Sequence, residues 1–385
     1  MSIYNVTVTK IKIQNKIKIS AKISADNSEF WVSVPEKYEQ WLTDLSDPWL
    51  NILAFPMMKI GGRFNINGAV SQSLIDNIEM FSAIWSIWCP EQYKPIKIVP
   101  EKIVSIVRTP DENKLISAFS GGLDAAYTAY KYKNNLNGVR KYDLDAAVMI
   151  HGADIPLAET QQFNDAFKYA KNMTDDLKIE LIPAQTNYRE YSDNWSFEFG
   201  SVISGVLSLF SKKYAAGAAS DDSVHHFETP WGMNPISDWY LKSDVFNFIS
   251  DGHNHSRTER AQFVSKWQAC LDNLRVCWRN EDKSKNCGKC EKCVRTKLNF
   301  MAVGVNHLPT MPNDLTKEEL HRKDLIQMNH NVIYFEEILK FAKQNNSLPK
   351  YWYQQLDDCI KVWKQSRNKK RHGHSFWWHV RHFKF

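Results

Sequence analysis

Between residues 115 and 219 short apolar strands alternate with helical stretches, and this alternation restricts the fold more than any other feature of the chain. An apolar strand at 115–119 runs directly into Ser120-Gly121-Gly122-Leu123-Asp124, and a helix follows over 125–131. A second strand at 144–150 ends in His151-Gly152 and leads to a helix over about 157–174. A third strand at 179–183 leads to Thr186-Asn187-Tyr188-Arg189, then a helix over about 198–210 and a buried fourth strand at 213–219. Parallel strands need a crossover, usually helical, so the alternation predicts an α/β fold with a parallel, doubly wound sheet covered on both faces. Ligands of such sheets sit beyond the carboxyl ends of the strands.

The flanking segments read differently. Over residues 1–34 Val6, Val8, Ile11, Ile13, Ile17 and Ile19 alternate with polar residues, which predicts half-buried strands with a turn at Asp26-Asn27-Ser28. Gly61-Gly62 and Asn67-Gly68 predict further turns, and Leu74, Ile75, Ile78, Phe81 and Ile84 fall at helical spacing over 71–88. The expected organisation is a β-rich N-terminal domain at 1–105, a central nucleotide-binding domain at 106–310, and a helical, basic extension at 311–385.

The turn at 120–124 carries the first chemical signal. Two glycines permit positive φ and close backbone approach, and a helix starts at once, so amide N–H groups and the positive end of the helix dipole share one hollow. Such a hollow favours phosphate. Ser120 adds a donor, and Asp124 is the expected holder of Mg²⁺ against that phosphate. The bland alternative is a plain strand-to-helix turn. The dinucleotide fingerprint and the Walker loop are both absent from this stretch.

Cys277, Cys287, Cys290 and Cys293 form the second signal, with the spacing C-x9-C-x2-C-x2-C. Thiolates three apart across a turn eased by Gly288 can face one ion, which points to a closed tetrahedral Zn²⁺ site, with an iron–sulfur cluster as the alternative. Seven cysteines, four of them in this short stretch, read as metal binding in a reducing compartment and not as a disulfide framework. Cys89, Cys270 and Cys359 are isolated and read as core residues. Neither a leader segment nor a run of apolar residues long enough to span a bilayer stands out, so the expected location is cytoplasmic, without membrane contact.

The net charge is +6, and eight Lys/Arg with no Asp or Glu fall in 361–385, so the excess belongs to the tail. Lys369-Lys370-Arg371-His372, Trp377-Trp378-His379 and Arg381-His382-Phe383 mix cations with aromatics. That mixture suits a nucleic-acid backbone with stacked bases, or a terminal helix docked on its own domain or on a protein partner, the reading we favour.

The loop resembles the signature of the N-type ATP pyrophosphatases, whose last position is usually Ser where this chain has Ala125. Together with Asn286-Cys287-Gly288-Lys289-Cys290-Glu291-Lys292-Cys293-Val294-Arg295, it makes residues 113–305 similar to the 7-cyano-7-deazaguanine synthase family; the flanks are not part of that core enzyme, so the chain looks like a larger relative such as the synthase-like proteins of bacterial antiphage systems. The resemblance implies the adenine nucleotide alpha-hydrolase type of sheet and an ATP-dependent ligase. Such an enzyme adenylates 7-carboxy-7-deazaguanine and converts it to an amide and then a nitrile. It implies that Ser120, Gly121, Gly122, Leu123 and Asp124 cradle pyrophosphate, that His151 and Gly152 lie near adenosine, and that Asn187 and Arg189 face the reacting phosphates. A satisfied strand-end histidine is the plain reading of His151, and a surface salt bridge that of Arg189. The loop from Thr229 to Asp238 occupies the place of base recognition, with Trp231 for stacking and Asn234 and Asp238 for polar contacts; a structural proline loop is the alternative. Transfer of the activated base to an amine of a protein partner or nucleic acid, a tRNA-modifying relative, and an inactive nucleotide-binding scaffold are the other functions considered.

Overall fold

The computed structural model describes residues 2–105, 113–136, 138, 141–221, 230–326 and 331–365. The basic tail lies outside the described residues. In the front segment β1 (Ile3–Ile13), β2 (Lys16–Ile23) and β3 (Glu29–Pro35) form an antiparallel meander. Two short helices, α1 (Asp47–Ile52) and α2 (Ala54–Ile60), precede β4 (Gly62–Ser71), α3 (Gln72–Trp88) and β5 (Ile96–Val104). The alternating half comprises β6 (Lys114–Ala118), α4 (Leu123–Lys133), β7 (Asp143–His151), α5 (Thr160–Asp176), β8 (Glu180–Thr186), α6 (Trp195–Ser208) and β9 (Ala216–Ser220). It continues through α7 (Pro235–Asp238), β10 (Asn247–Asp251), α8 (Arg257–Val264), α9 (Gln268–Asn273) and α10 (Glu291–Met301). The C-terminal part adds α11 (Lys317–Leu320), a 3₁₀ turn at Lys323–Ile326, α12 (Asn331–Asn345) and a helix over 350–365.

All ten strands belong to one sheet, in the order β10-β9-β6-β7-β8-β3-β2-β1-β4-β5. The first five are mutually parallel, as the alternation predicts. Neighbouring residues along the central strands serve opposite faces: Ile116, Val148 and Ile182 enter one core, and Leu115, Ala147, Met149 and Leu181 enter the other. One face is covered by the front helices and α6, the other by α4, α5 and the helices after β10. The third core, around Leu298, Phe335, Leu356 and Trp363, belongs to the C-terminal helices and α10.

The sheet continues across the boundary expected near residue 105. β3 pairs antiparallel with β8 through Val32↔Thr186 and Ser33↔Gln185, so the front strands extend the parallel half. Asn187 reinforces this seam. Its Oδ1 accepts from the Trp31 amide at 2.8 Å and its Nδ2 donates to the Glu29 carbonyl at 2.8 Å, which continues the ladder one step beyond the last strand residue. Asn67-Gly68 is a bulge inside β4 and not a turn: the register on β5 shifts between Ile66 and Ala69, and the Asn67 amide side chain bonds both backbone groups of Val8. Helix α6 meets α1 closely at Gly205, where a Cβ would lie 2.4 Å from Ile52 Cγ1 and 2.6 Å from the Pro48 carbonyl oxygen.

Replacing Asn187 with Ala strands one backbone donor and one acceptor of β3, a loss of about 1–3 kcal/mol. The expected outcome is a lower urea midpoint with an unchanged slope. Gly205→Ala is expected to destabilise by a similar ~1–3 kcal/mol through overpacking of the α1–α6 contact.

Candidate phosphate site and metal centre

β6 is the strand at which the order of the parallel half reverses, with β7 and β8 on one side and β9 and β10 on the other. In open α/β sheets such a reversal point, at the carboxyl ends of the strands, is where ligands bind. The turn Ser120–Asp124 occupies that end. Gly121 takes φ +76°, and α4 begins at Leu123, whose side chain is fully buried so that only its backbone can serve the loop.

Arg275 backs this turn. Its backbone amide donates to the Gly121 carbonyl at 2.9 Å, and its guanidinium donates to the Ser120 carbonyl at 3.2 Å. In a trans peptide the C=O and the following N–H point opposite ways. Holding those two carbonyls from behind therefore turns the N–H groups of Gly121 and Gly122 to the other side, where the first turn of α4 also presents its N–H groups. The Gly122 amide meets the Ser120 hydroxyl at a long 3.4 Å.

Asp124 does not stand bare on this first turn. Its Oδ2 accepts from Arg257 at 2.8 Å and its Oδ1 from Arg260 at 2.9 Å. Arg260 has no solvent exposure. Its Nε donates to the His255 carbonyl at 3.1 Å, its Nη2 to the Gly252 carbonyl at 2.7 Å, and its Nη1 also reaches the Asp221 carbonyl. Beside it the buried pair Lys131–Asp251 is joined by Thr128, whose hydroxyl donates to Asp251 Oδ2 at 2.7 Å. Both carboxylate oxygens of Asp124, expected from the sequence to hold Mg²⁺, are engaged by guanidinium groups. Arg257, Arg260 and Arg275 escaped the sequence reading. A signal existed for the first two, because Ser256-Arg257-Thr258-Glu259 is a capping box that starts α8 and sets Arg257 and Arg260 three apart on one face.

The other residues singled out from the sequence are drawn into the framework. His151 is 1% exposed and stacks on Phe163 with centroids 4.4 Å apart. Its Nε2 donates to the Pro156 carbonyl at 2.9 Å, and its Nδ1 accepts from Gln185 at 3.3 Å, whose own oxygen is held by Lys16. Both ring nitrogens are thus occupied, which matches the satisfied-histidine reading and leaves no ring atom for adenosine. Burial lowers its pKa. Gly152 has φ +94°, and a Cβ there would lie 1.9 Å from the Thr186 carbonyl oxygen, so its role is the close passage of two strand ends. Asn187 is committed to β3, as described above, and does not offer its amide to phosphate. Arg189 is exposed; it donates to the Ala153 carbonyl at 3.2 Å and lies over the Trp195 ring at 5.0 Å, in place of the surface salt bridge that was its alternative.

The segment 230–238 packs on α6 through a glycine–glycine contact: a Cβ on Gly200 would sit 1.9 Å from the Gly232 carbonyl oxygen. Thr229 lies outside the described residues. Trp231 meets Phe199 edge-on at 6.4 Å. Asn234 is buried and caps α7, its Oδ1 accepting from the Ile236 amide at 2.9 Å. Asp238 is 2% exposed; its Oδ2 accepts from Ser250 at 2.5 Å, Ser250 also meets His253 Nε2 at 2.8 Å, and Oδ1 has no hydrogen-bond partner among the described residues. Burial, reinforced by Asp221, raises its pKa well above the usual carboxylate range.

No protein-family model, curated protein or solved structure matches the chain. The reading of the site therefore rests on its geometry.

The four sulfurs of Cys277, Cys287, Cys290 and Cys293 lie within 4.8 Å of one another. Two of their edges measure 3.7 Å and 3.9 Å. A tetrahedron of thiolates around an ion at ~2.3 Å has edges of ~3.8 Å, so the spacing fits one ion such as Zn²⁺. A multi-iron cluster would spread the sulfurs further. Gly288 takes φ +72° between the second and third ligands, and the Cys290 amide points at Cys287 Sγ at 3.3 Å. Asn286 shapes the knuckle: its Oδ1 accepts from the amides of Val276 and Cys277 at 2.9 and 3.1 Å, and its Nδ2 donates to the Leu274 carbonyl at 2.8 Å. Without an ion the thiols compete for protons, with Cys277 driven down by hydrogen bonds from Cys290 and Cys293, and Cys290 raised to about 12. Arg275 links the two sites, since its guanidinium also donates to the carbonyls of Cys277 and Lys283 at 3.4 and 3.1 Å.

Two outcomes are expected. The purified chain carries one metal ion, and Cys290→Ser loses it, measured by elemental analysis. Structural zinc supplies roughly 10–16 kcal/mol in small peptides, which matches or exceeds the ~5–15 kcal/mol net stability of a typical domain, so this region should unfold. Second, His151 and His255 both have pKa values lowered by burial. The unfolded chain takes up these protons near pH 6.5 while the folded chain resists, so stability is full above pH 6.5 and is lost as pH falls below it. His151→Gln should flatten that acid limb in denaturant titrations at pH 7 and pH 5.5.

Proposed function

We propose that this chain is an ATP-dependent C–N bond-forming ligase that activates the carboxylate of a 7-deazaguanine base such as 7-carboxy-7-deazaguanine. The observation that carries the reading is the Ser120–Asp124 turn at the strand-order reversal, backed by Arg275 and flanked by Arg257. The resemblance of the loop and the cysteine segment to the synthase family supplies the substrate class.

In this reading the amides of Gly121 and Gly122 and the start of α4 receive the β- and γ-phosphates of ATP. A carboxylate oxygen of the base attacks the α-phosphorus in line and the bond to the β-phosphate oxygen breaks, releasing pyrophosphate. Arg257 neutralises charge on that leaving group, and it can supply the contact that Ala125, lacking a hydroxyl, does not. An amine nitrogen then attacks the activated carbonyl carbon, AMP leaves with the bridging oxygen, and the amine proton passes to a base. Amide-to-nitrile conversion would take a second ATP. In its present arrangement the carboxylate of Asp124 is held by Arg257 and Arg260 and does not fit a bare Mg²⁺. Asp238, beside Ser250, supports polar recognition of a heterocycle.

The test is pyrophosphate release from ATP in the presence of 7-carboxy-7-deazaguanine, with mass analysis of the product. Release that depends on the base supports the reading, and ATP left intact in its presence defeats it. Arg257→Ala is expected to lower the release rate by about 10²–10³, the effect of removing one preorganised donor to developing charge.

A further inference from the structure

The register of the front strands decides which side chains share a face. Val6, Ile19, Ala21, Phe30 and Phe64 enter the first core, so their chain neighbours point to the opposite face. Pairing sets Thr7 against Lys22, Thr9 against Ser20 and Ile3 against Arg63, and Ser20 in turn against Trp31. Residues directly opposite stand on the same side of the sheet. Through Ser33↔Gln185 this face continues into the parallel half, where the core under α4 and α5 covers it. That core contains no residue before Leu115. Over β1, β2 and β4 no described element covers the face, and Thr7, Thr9, Lys22 and Arg63 are exposed on it.

The open face is one-sided in charge. Lys16, Lys18 and Lys22 form a row along β2, with Arg63 on β4 across β1. Glu29 is the carboxylate that these four strands place on this side, 3.8 Å from Lys18. Lys16 donates to Gln185 at 2.8 Å, and Lys22 and Arg63 have no ion pair among the described residues. Acids at the margins are engaged elsewhere: Glu36 by Lys12, Glu39 by Lys10, and Glu79 by Lys97 of β5, while Glu101 accepts from the Gly68 amide at 2.8 Å. Between the cations lie uncharged polar pairs, Thr9 with Ser20 at 3.0 Å and Asn5 with Asn65 at 3.2 Å. Trp31 adds an aromatic ring, with Lys18 Nζ 5.3 Å from its centroid. A sheet face that only meets water intersperses both signs. The chain's own basic tail has the same sign as this face and does not complement it.

We infer that the open face of β1 to β4 binds single-stranded nucleic acid, with phosphates on Lys16, Lys18, Lys22 and Arg63 and a base on Trp31. Unpaired bases offer the ring faces that an indole stacks on and the edges that amides and hydroxyls bond, and a duplex hides those ring faces. The Trp31 amide donates to Asn187 Oδ1 at 2.8 Å, at the carboxyl end of β8. Strands β6, β7 and β8 are parallel, so this end of the face lies toward the end of the sheet that carries the Ser120–Asp124 turn. The inference does not depend on what that turn binds.

The experiment titrates the zinc-loaded full chain, without ATP, into a fluorescein-labelled oligouridylate of about 20 nucleotides and into a duplex of the same length, read by anisotropy. The single strand is expected to bind, with a log–log salt slope of about −2 to −3, the value for three or four phosphate contacts. Lys22→Glu combined with Arg63→Glu changes two exposed side chains and should weaken binding by about tenfold or more and flatten the slope. Trp31→Ala should weaken it by roughly tenfold with the slope unchanged, because stacking releases no counter-ions. No binding of the single strand by the wild type would overturn the inference, as would a duplex bound equally well. Binding kept in the Lys22/Arg63 variant but lost on Lys369→Ala, Lys370→Ala and Arg371→Ala together would assign the strand to the tail and also overturn it. Displacement of the oligonucleotide by polyglutamate at equal charge concentration would give the face to an acidic protein instead.

Discussion

Arg260 carries a positive charge that water does not reach, so its N–H donors must be answered inside the protein. Burying such a group costs several kcal/mol unless geometry and partners are good, and here the partners come from the ends of three different elements: Asp124 at the start of α4, Asp221 after β9, and Gly252 after β10. The guanidinium therefore sets the distances among those chain ends. It also sets the position of α8, on which it sits, and so the reach of Arg257. Remove it, and Asp124 loses one of its two guanidinium partners while the carbonyls of Asp221, Gly252 and His255 each lose a donor.

Arg275 plays the matching role from the opposite side of the loop. It fastens the carbonyls of Ser120 and Gly121 and, through the same guanidinium, the carbonyls of Cys277 and Lys283. Asn286 then braces the cysteine knuckle against the backbone around 274–277. An ion held by four thiolates adds folding free energy to this segment, and that rigidity is passed on through Arg275 to the direction in which the loop amides point. The cysteine cluster and the Ser120–Asp124 turn, far apart in sequence, are mechanically one unit.

Much of the architecture was legible from local pattern. The strands and helices of the parallel half follow from the alternation of apolar runs with helical stretches, and the cysteine site follows from spacing alone. Gly121 is where the loop requires a positive φ. Less legible were features that depend on pairing between distant segments. Nothing near Val32 or Thr186 announces that β3 joins β8, and the alternation of β1 to β3 is equally compatible with a separate small sheet. His151, Asn187 and Asp238 looked available because sequence shows a polar residue at a strand end or in a loop but not what its side chain touches. In the fold their hydrogen-bonding groups are drawn to Pro156 and Gln185, to the β3 backbone, and to Ser250.

By itself the sequence determined the local conformations: the strand–turn–helix at 120–124, the thiolate turn around Gly288, and the two-faced apolar strands of the central sheet. These follow from steric and hydrophobic rules that act over a few neighbouring residues. Only the tertiary structure decided the charge state of the site, because Asp124 meets Arg257 and Arg260 more than 130 positions away. Electrostatic energy depends on separation in space and on exclusion of water, and neither quantity is written in the order of residues along the chain.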